Sequence, residues 1–194
     1  MDEQQLIERS RNGDLDAFNR LVETYQTQVY NLAYRMLGSQ ASAEDASQEC
    51  FISAYKNIRA YRGGSFKGWL FRIATNACYD QLRSKKRHAE TSLEDRLEAD
   101  PGWQPASVGE TPEEAAITGE LSREIAKAVT TLPEDQRLVL IMADVQGFSY
   151  EEVAEATSSS LGTVKSRLSR ARAKVRDYFA TRPELLPAKF RLEV

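Results

Sequence analysis

Between residues 89 and 111 the helical rhythm of this chain stops, and that break limits what the chain can fold into more than any other feature. The stretch holds Pro101 and Pro105, two glycines, and six Asp or Glu against one Arg. Such composition keeps a segment solvated and extended, which is the signature of a linker. On both sides of it apolar residues recur in steps of three and four, the period of an α-helix with one buried face. No stretch alternates as a strand would, and no internal repeat stands out. The expected fold is therefore all-α: two small helical domains, 1–88 and 112–182, joined by a flexible acidic linker at 89–111, with a short tail at 183–194.

The first half reads as a series of helices. Leu6 and Ile7 face a core in a helix that stops at Gly13. Asp14 or Asp16 caps the next helix, whose apolar stripe is Phe18, Leu21, Val22, Tyr25, Val29, Leu32, Ala33 and Met36, and Gly38 ends it. Ser42 is expected to cap a third helix, with Glu44 and Asp45 in its first turn, where carboxylates suit the helix dipole. A break at Tyr61-Arg62-Gly63-Gly64-Ser65 precedes a helix from Phe66 to about Lys86. After the linker, helix resumes near Pro112. Leu132-Pro133-Glu134-Asp135 opens another helix, closed by Gly147.

Net charge is −3, which taken alone argues against a nucleic-acid partner. The average hides local clustering, however, and a local patch sets the field that DNA feels. Residues 1–88 carry 13 Lys and Arg against 10 Asp and Glu, whereas 112–194 carry 12 against 13. Two cysteines, Cys50 and Cys78, lie in unrelated apolar patterns, and His88 is the only histidine. Neither a zinc site nor a disulfide is expected from them, and buried reduced thiols are the simpler reading. No apolar run approaches the ~20 residues that span a bilayer. The N-terminus MDEQQLIERS is polar and acidic, unlike a secretory signal, so a cytoplasmic protein is expected. The inventory lacks a glycine-rich phosphate loop, a metal cluster and a nucleophile–histidine pair, so neither an enzyme nor a cofactor is expected.

Residues 149–178 are the most informative. Ser149-Tyr150-Glu151-Glu152 is a capping box, with Ser followed by Glu three on. A short helix, a tight turn, and a longer helix capped at Thr163 then give a helix-turn-helix layout. Val164, Leu168, Ala171 and Val175 line one face of the second helix. Lys165, Arg167, Arg170, Arg172, Lys174 and Arg176 supply six cations elsewhere on it. A helix of this kind fits the major groove, where Arg and Lys reach guanine edges and phosphates. Thr163, Ser166 and the free amides at its start suit phosphate oxygens. The motif alone does not separate repressors from response regulators or initiation factors.

The first half makes that separation. GDLDAFNRLVETYQTQVYNLAYRML, AEDASQECFISAYKNI and FKGWLFRIATNACYDQLRSKKR together resemble the second conserved domain of a bacterial sigma factor of the sigma-70 family. LPEDQRLVLIMADVQGFSYEEVAEATSSSLGTVKSRLSRARAKVR resembles the fourth domain. Only a short linker stands between them, as in the extracytoplasmic-function (ECF) group. The resemblance covers roughly residues 1–88 and 112–180.

That resemblance implies a transcription initiation factor that binds core RNA polymerase, recognises the −10 and −35 promoter elements and helps open DNA. It implies that Asp45, Gln48 and Glu49 dock on the clamp helices of the β′ subunit. These residues stand at i, i+3 and i+4, so they share one helix face, and carboxylates suit an Arg-rich partner. It further implies that the melted −10 strand meets the loop and helix that follow. There Asn76 has an amide that both donates and accepts, Arg62, Lys67 and Arg72 supply charge, and Tyr61 is placed to stack. Phe66 either stacks as well or is core, and Trp69 reads as core. Arg83, Lys85, Lys86 and Arg87 form a basic run suited to duplex backbone. For the −35 element the implied residues are Thr163, Lys165, Ser166, Arg167, Ser169, Arg170 and Arg172. The acidic linker would thread through the polymerase, and an anti-sigma factor is the implied regulator. Two other readings have less to support them. A sigma-like decoy needs neither a basic recognition helix nor Asn76, and an ordinary helix-turn-helix regulator calls for a ligand pocket or a self-complementary helix.

Overall fold

The computed structural model describes residues 2–91 and 112–182, and among these residues every regular element is helical. The expected tail at 183–194 and residues 92–111 of the expected linker lie outside the described residues, as does the side chain of His88. Residues 89–91, expected in the linker, instead continue the preceding helix.

The N-terminal bundle consists of α1 (Glu3–Arg11), α2 (Leu15–Leu37), α3 (Gln40–Asn57) and α4 (Phe66–Thr91), with a 3-10 turn at Ile58–Ala60. Helix α2 is its spine, and α1, α3 and α4 pack on it. Its start is fixed by Asp14, whose carboxylate accepts the Ala17 amide at 3.0 Å. That amide and the Arg9 guanidinium hold the Asp14 carboxyl below its usual range. Gly38 ends α2 in the left-handed region, at φ 66°. The chain re-enters helix at once, so the cap of α3 is Ser39, three residues before the expected Ser42. The Ser39 hydroxyl accepts the Ser42 amide at 3.4 Å, and Ser42 itself lies in the first turn.

The C-terminal bundle consists of α5 (Pro112–Thr130), α6 (Glu134–Leu140), α7 (Tyr150–Ala156) and α8 (Leu161–Ala180). Helix α6 runs directly into a π-helical turn, Ile141–Val145, where the Gln146 amide reaches the Ile141 carbonyl at 3.0 Å. Apolar spacing alone does not reveal this extra residue per turn. The expected capping box forms as read: Ser149 N–H donates to Glu152 at 2.8 Å, and Glu152 N–H to the Ser149 hydroxyl at 3.2 Å. Helix α8 starts earlier than expected. Its cap is Ser160, which accepts the Thr163 amide at 3.1 Å, and Thr163 is the third residue of the helix.

The two cores are not separate. One apolar cluster runs from Leu6 through α2, α3 and α4 into Leu138, Phe148 and Leu168. Phe71 of α4 and Phe148 join the halves edge to face, with ring centroids 4.6 Å apart at 62°. Cys50 and Cys78 are free and buried, and burial pushes the Cys78 thiol up to about 12. Among the described residues no helix is long and apolar enough to cross a membrane.

Candidate nucleic-acid interface

Helix α8 owes its position to one apolar stripe. Val164, Leu168 and Ala171 are buried against the rest of the bundle, and that leaves Lys165, Ser166, Ser169 and Arg170 exposed together on the opposite side. Neither Lys165 nor Arg170 is ion-paired with an acid among the described residues, so both cations face solvent ready for phosphate or base edges. An open depression of about 540 Å³ runs along this side, lined by Tyr150, Lys165, Leu168, Ser169, Arg172 and Arg176 among others.

Two residues expected to touch DNA also pair with acids of the protein itself. Arg172 makes a two-pronged pair with Asp144, at 2.8 and 2.6 Å. The pair keeps the Arg172 guanidinium strongly protonated. Arg167 donates to Asp135 at 2.9 Å and to the Ser159 hydroxyl at 3.0 Å. These pairs clamp α8 to α6, to the π turn and to the loop before α8, and so set the angle at which the free cations are presented. Sequence reading missed Asp135 and Asp144. The π turn places Asp144 beside α8, and no local motif signals it. The turn between α7 and α8 holds Ser158 at φ 50°, a left-handed position with no glycine to announce it. Thr163 is half-buried, and its hydroxyl sits 2.9 Å from that of Ser160.

In the N-terminal bundle the loop before α4 is built from aromatics. Tyr61 is only 4% exposed. Its ring packs against Phe66 and Trp69 at centroid distances of 5.6 and 5.4 Å, and its hydroxyl donates to the Gly64 carbonyl at 2.7 Å. The stacking role expected of Tyr61 is thereby corrected, because neither face of the ring is open to a base. Phe66, 2% exposed, is core as well. What Tyr61 does is hold the turn, and Gly63 and Gly64 allow it at φ 95° and 91°.

Helix α4 divides the other expected residues between two faces. Arg72, Asn76, Arg83 and Arg87 fall in one exposed stripe, with Arg83 also paired to Asp80 at 2.7 Å. Arg62 is exposed in the loop. Lys67 and Lys86 face the C-terminal bundle instead: Lys67 pairs with Glu152 at 3.6 Å and Lys86 with Glu134 at 2.7 Å. Lys85 turns to the end of α2, where it donates to the Leu37 carbonyl at 3.5 Å, and burial lowers its pKa. A cation at that end is favoured by the helix dipole.

On α3, Asp45, Gln48 and Glu49 are all exposed and adjacent, while Ala43, Ala46, Cys50 and Ala54 are buried behind them. The same face continues into Ile52 and Tyr55, which remain 41% and 38% exposed. An acidic patch bordered by open apolar side chains is a surface suited to a basic partner.

Known protein families match both halves of the chain. The family model for Sigma-70 region 2 matches residues 21–88, and that for Sigma-70, region 4 matches residues 122–175. The chain is 37% identical over 175 residues to the ECF RNA polymerase sigma factor SigW of Bacillus subtilis strain 168, covering 88% of this chain and 92% of that one. It is 35% identical over 166 residues to the ECF RNA polymerase sigma factor SigE of Mycolicibacterium smegmatis, covering 86% of this chain but only 63% of that longer relative. Among solved structures, the sigma factor RpoE of Bartonella quintana, crystallised with the anti-sigma factor NepR, superposes with a TM-score of 0.68 at 26% identity, covering 85% of this chain and 98% of that one.

Proposed function

This chain belongs to the sigma-70 family, in its ECF group, and from that premise we propose how its surfaces divide the work of starting transcription. The acidic face of α3, Asp45 with Gln48 and Glu49, docks on basic helices of core RNA polymerase. The exposed side of α8, centred on Lys165, Ser166, Ser169 and Arg170, enters the major groove at the −35 element. The outer stripe of α4, with Arg72 and Asn76, takes the melted −10 strand, and Arg83 and Arg87 guide the duplex backbone beside it. The protein does no catalysis of its own. It works in the cytoplasm, and an anti-sigma factor restrains it, as one binds the Bartonella quintana relative. Residues 1–88 and 112–182 act as the second and fourth sigma domains.

The observation that carries this reading is the pairing of a free cationic face on α8 with a separate acidic face on α3. One chain then offers opposite charge to two different partners, DNA and a basic protein surface.

The direct test is co-elution of the purified chain with core polymerase as a one-to-one complex. Failure of a folded chain to form that complex overturns the reading. Given a complex, Asn76→Ala is expected to bind core polymerase normally but to lower open-complex formation, read by permanganate reactivity of melted thymines. An equal loss of polymerase binding would remove Asn76 from the DNA-facing set. Arg170→Ala is expected to weaken duplex −35 binding by about 1–3 kcal/mol, as loss of one base-reading Arg does. A titration by fluorescence anisotropy checks it, and unchanged affinity removes Arg170 from the interface.

A further inference from the structure

We propose that Asp144 is a positioning residue for DNA recognition: it holds the Arg172 guanidinium in one orientation at the side of α8, where it grips a single phosphate of the −35 duplex and fixes the register of the helix. The proposal rests on the reading of α8 above. It gives a carboxylate, on a surface proposed to face DNA, a part in binding.

Exposure separates the two paired arginines of α8. The Arg167 side chain keeps 28% of its surface and donates to both Asp135 and Ser159. Arg172 keeps 53%, although Asp144 holds it at two points. Its Nε–H donates to Asp144 at 2.8 Å and its Nη2–H at 2.6 Å. A guanidinium has five N–H donors in a rigid fork. Three of them are left for the Tyr150 hydroxyl beside the group and for a ligand.

Arg172 is also in line with the residues of α8 assigned to DNA. Lys165, Ser169, Arg172 and Arg176 stand at i, i+4, i+7 and i+11, one stripe along the helix. The open depression of about 540 Å³ follows that stripe, with Tyr150 of α7 beside it. The first residues of a recognition helix meet base edges, and its far end meets the backbone. Arg172 stands past the middle of α8, Leu161–Ala180, so a phosphate is the ligand that suits it. The planar fork matches phosphate oxygens in pairs.

Charge alone argues the other way. The Asp144 side chain is 31% exposed, and a carboxylate there repels phosphates. Partly exposed ion pairs also add little to stability. What this pair supplies is order. A free arginine has many rotamers and loses them on binding. Arg172 is already held before DNA arrives, whereas Lys165 and Arg170 pair with no acid among the described residues. An ordered phosphate contact sets the register of α8 on the duplex, and register decides which bases Lys165 and Ser169 meet. The π turn Ile141–Val145 carries Asp144 to this place, and single π turns recur at functional sites.

The test compares the parent chain with Asp144→Asn and Asp144→Glu, each bound to core polymerase. Two fluorescein-labelled duplexes are the probes: a promoter that the parent holoenzyme selects from a randomised pool, and the same duplex with its −35 bases shuffled. Asp144→Asn removes one negative charge. Were that its whole effect, both affinities would rise together, and the salt dependence would steepen by about one phosphate contact. The expected result is a split. Affinity for the selected duplex falls while affinity for the shuffled one holds or rises, so their ratio drops about tenfold. That is part of the roughly 5- to 150-fold that one well-registered base contact supplies. Asp144→Glu, which keeps a carboxylate, restores most of the ratio. Arg172→Ala also lowers it, and adding Asp144→Asn to that variant lowers it no further. The urea midpoint stays at the parent value, whereas a helix merely loosened would lose both affinities together and lower the midpoint. A parallel rise, a parallel fall or no change with Asp144→Asn overturns the positioning role alone. A parent holoenzyme that selects no −35 sequence overturns the DNA reading of α8, and this proposal with it.

Discussion

Leu168→Ala is expected to lower the unfolding free energy by about 2–5 kcal/mol, the cost of emptying a well-packed leucine site. Leu168 is 2% exposed and lies on the stripe of α8 between Val164 and Ala171, both fully buried. Its side chain is the middle of three that hold α8 against α6 and α7, so the cavity opens directly beneath the side proposed to face DNA. Single domains are stable by roughly 5–15 kcal/mol, so the loss is a large part of the whole. Urea denaturation followed by circular dichroism reads the change directly. Arg170→Ala is the control. Arg170 is exposed on the far side of the same helix, and its removal should change stability by no more than about 0.5 kcal/mol. Duplex binding should fall in both variants, but only Leu168→Ala should regain it when stability is raised by an osmolyte. A Leu168→Ala chain with the denaturation midpoint of its parent would mean that α8 is not anchored by this stripe.

The sequence made the helices legible because each carries its own period and its own stops. Gly38 and the Ser149–Glu152 box are local signals, and the structure uses both as read. The misplaced caps have a common cause. At Ser39 and Ser160 the chain leaves one element and enters the next within a few residues. Several hydroxyls then compete for the cap, and the backbone angle at the junction decides among them. Ser39 and Ser160 win because both have extended backbones immediately before the first helical residue.

The candidate site was legible in composition but not in orientation. A basic run such as Arg83 to Arg87 tells that charge is present. It does not tell that Lys85 turns to the end of α2 and Lys86 to Glu134 while Arg83 and Arg87 stay outside. Partners distant in sequence made those decisions, and a single chain read along its length carries no signal for them. The same holds for Arg167 and Arg172. On α8 they are two of six cations, and only the fold shows that they pair with Asp135 and Asp144. Tyr61 differs for another reason. The resemblance places it to stack on a base, whereas three aromatics within nine residues, Tyr61, Phe66 and Trp69, are enough to bury one another.

Reversing both acids on α3, as Asp45→Lys with Glu49→Lys, is expected to weaken binding to core polymerase by about 2–5 kcal/mol, or roughly 30- to several-thousand-fold. Both side chains are exposed, so the fold should tolerate the change within about 0.5 kcal/mol. Any loss of binding then belongs to the surface. The neighbouring Ile52, 41% exposed on the same face, allows the nature of the contact to be separated. Surface charge attraction is screened within ~8 Å at physiological salt, so the penalty from the reversed acids should shrink as salt rises. The penalty from Ile52→Ser reflects lost apolar burial and should persist or grow. Competition binding to core polymerase across a salt series measures both. Equal salt slopes for the two variants would mean that Asp45 and Glu49 do not meet opposite charge. Parent-like affinity of the double reversal would move the polymerase contact away from α3. The pattern expected, one penalty that fades with salt beside one that does not, requires an acidic patch bordered by open apolar side chains, and that is the surface α3 presents.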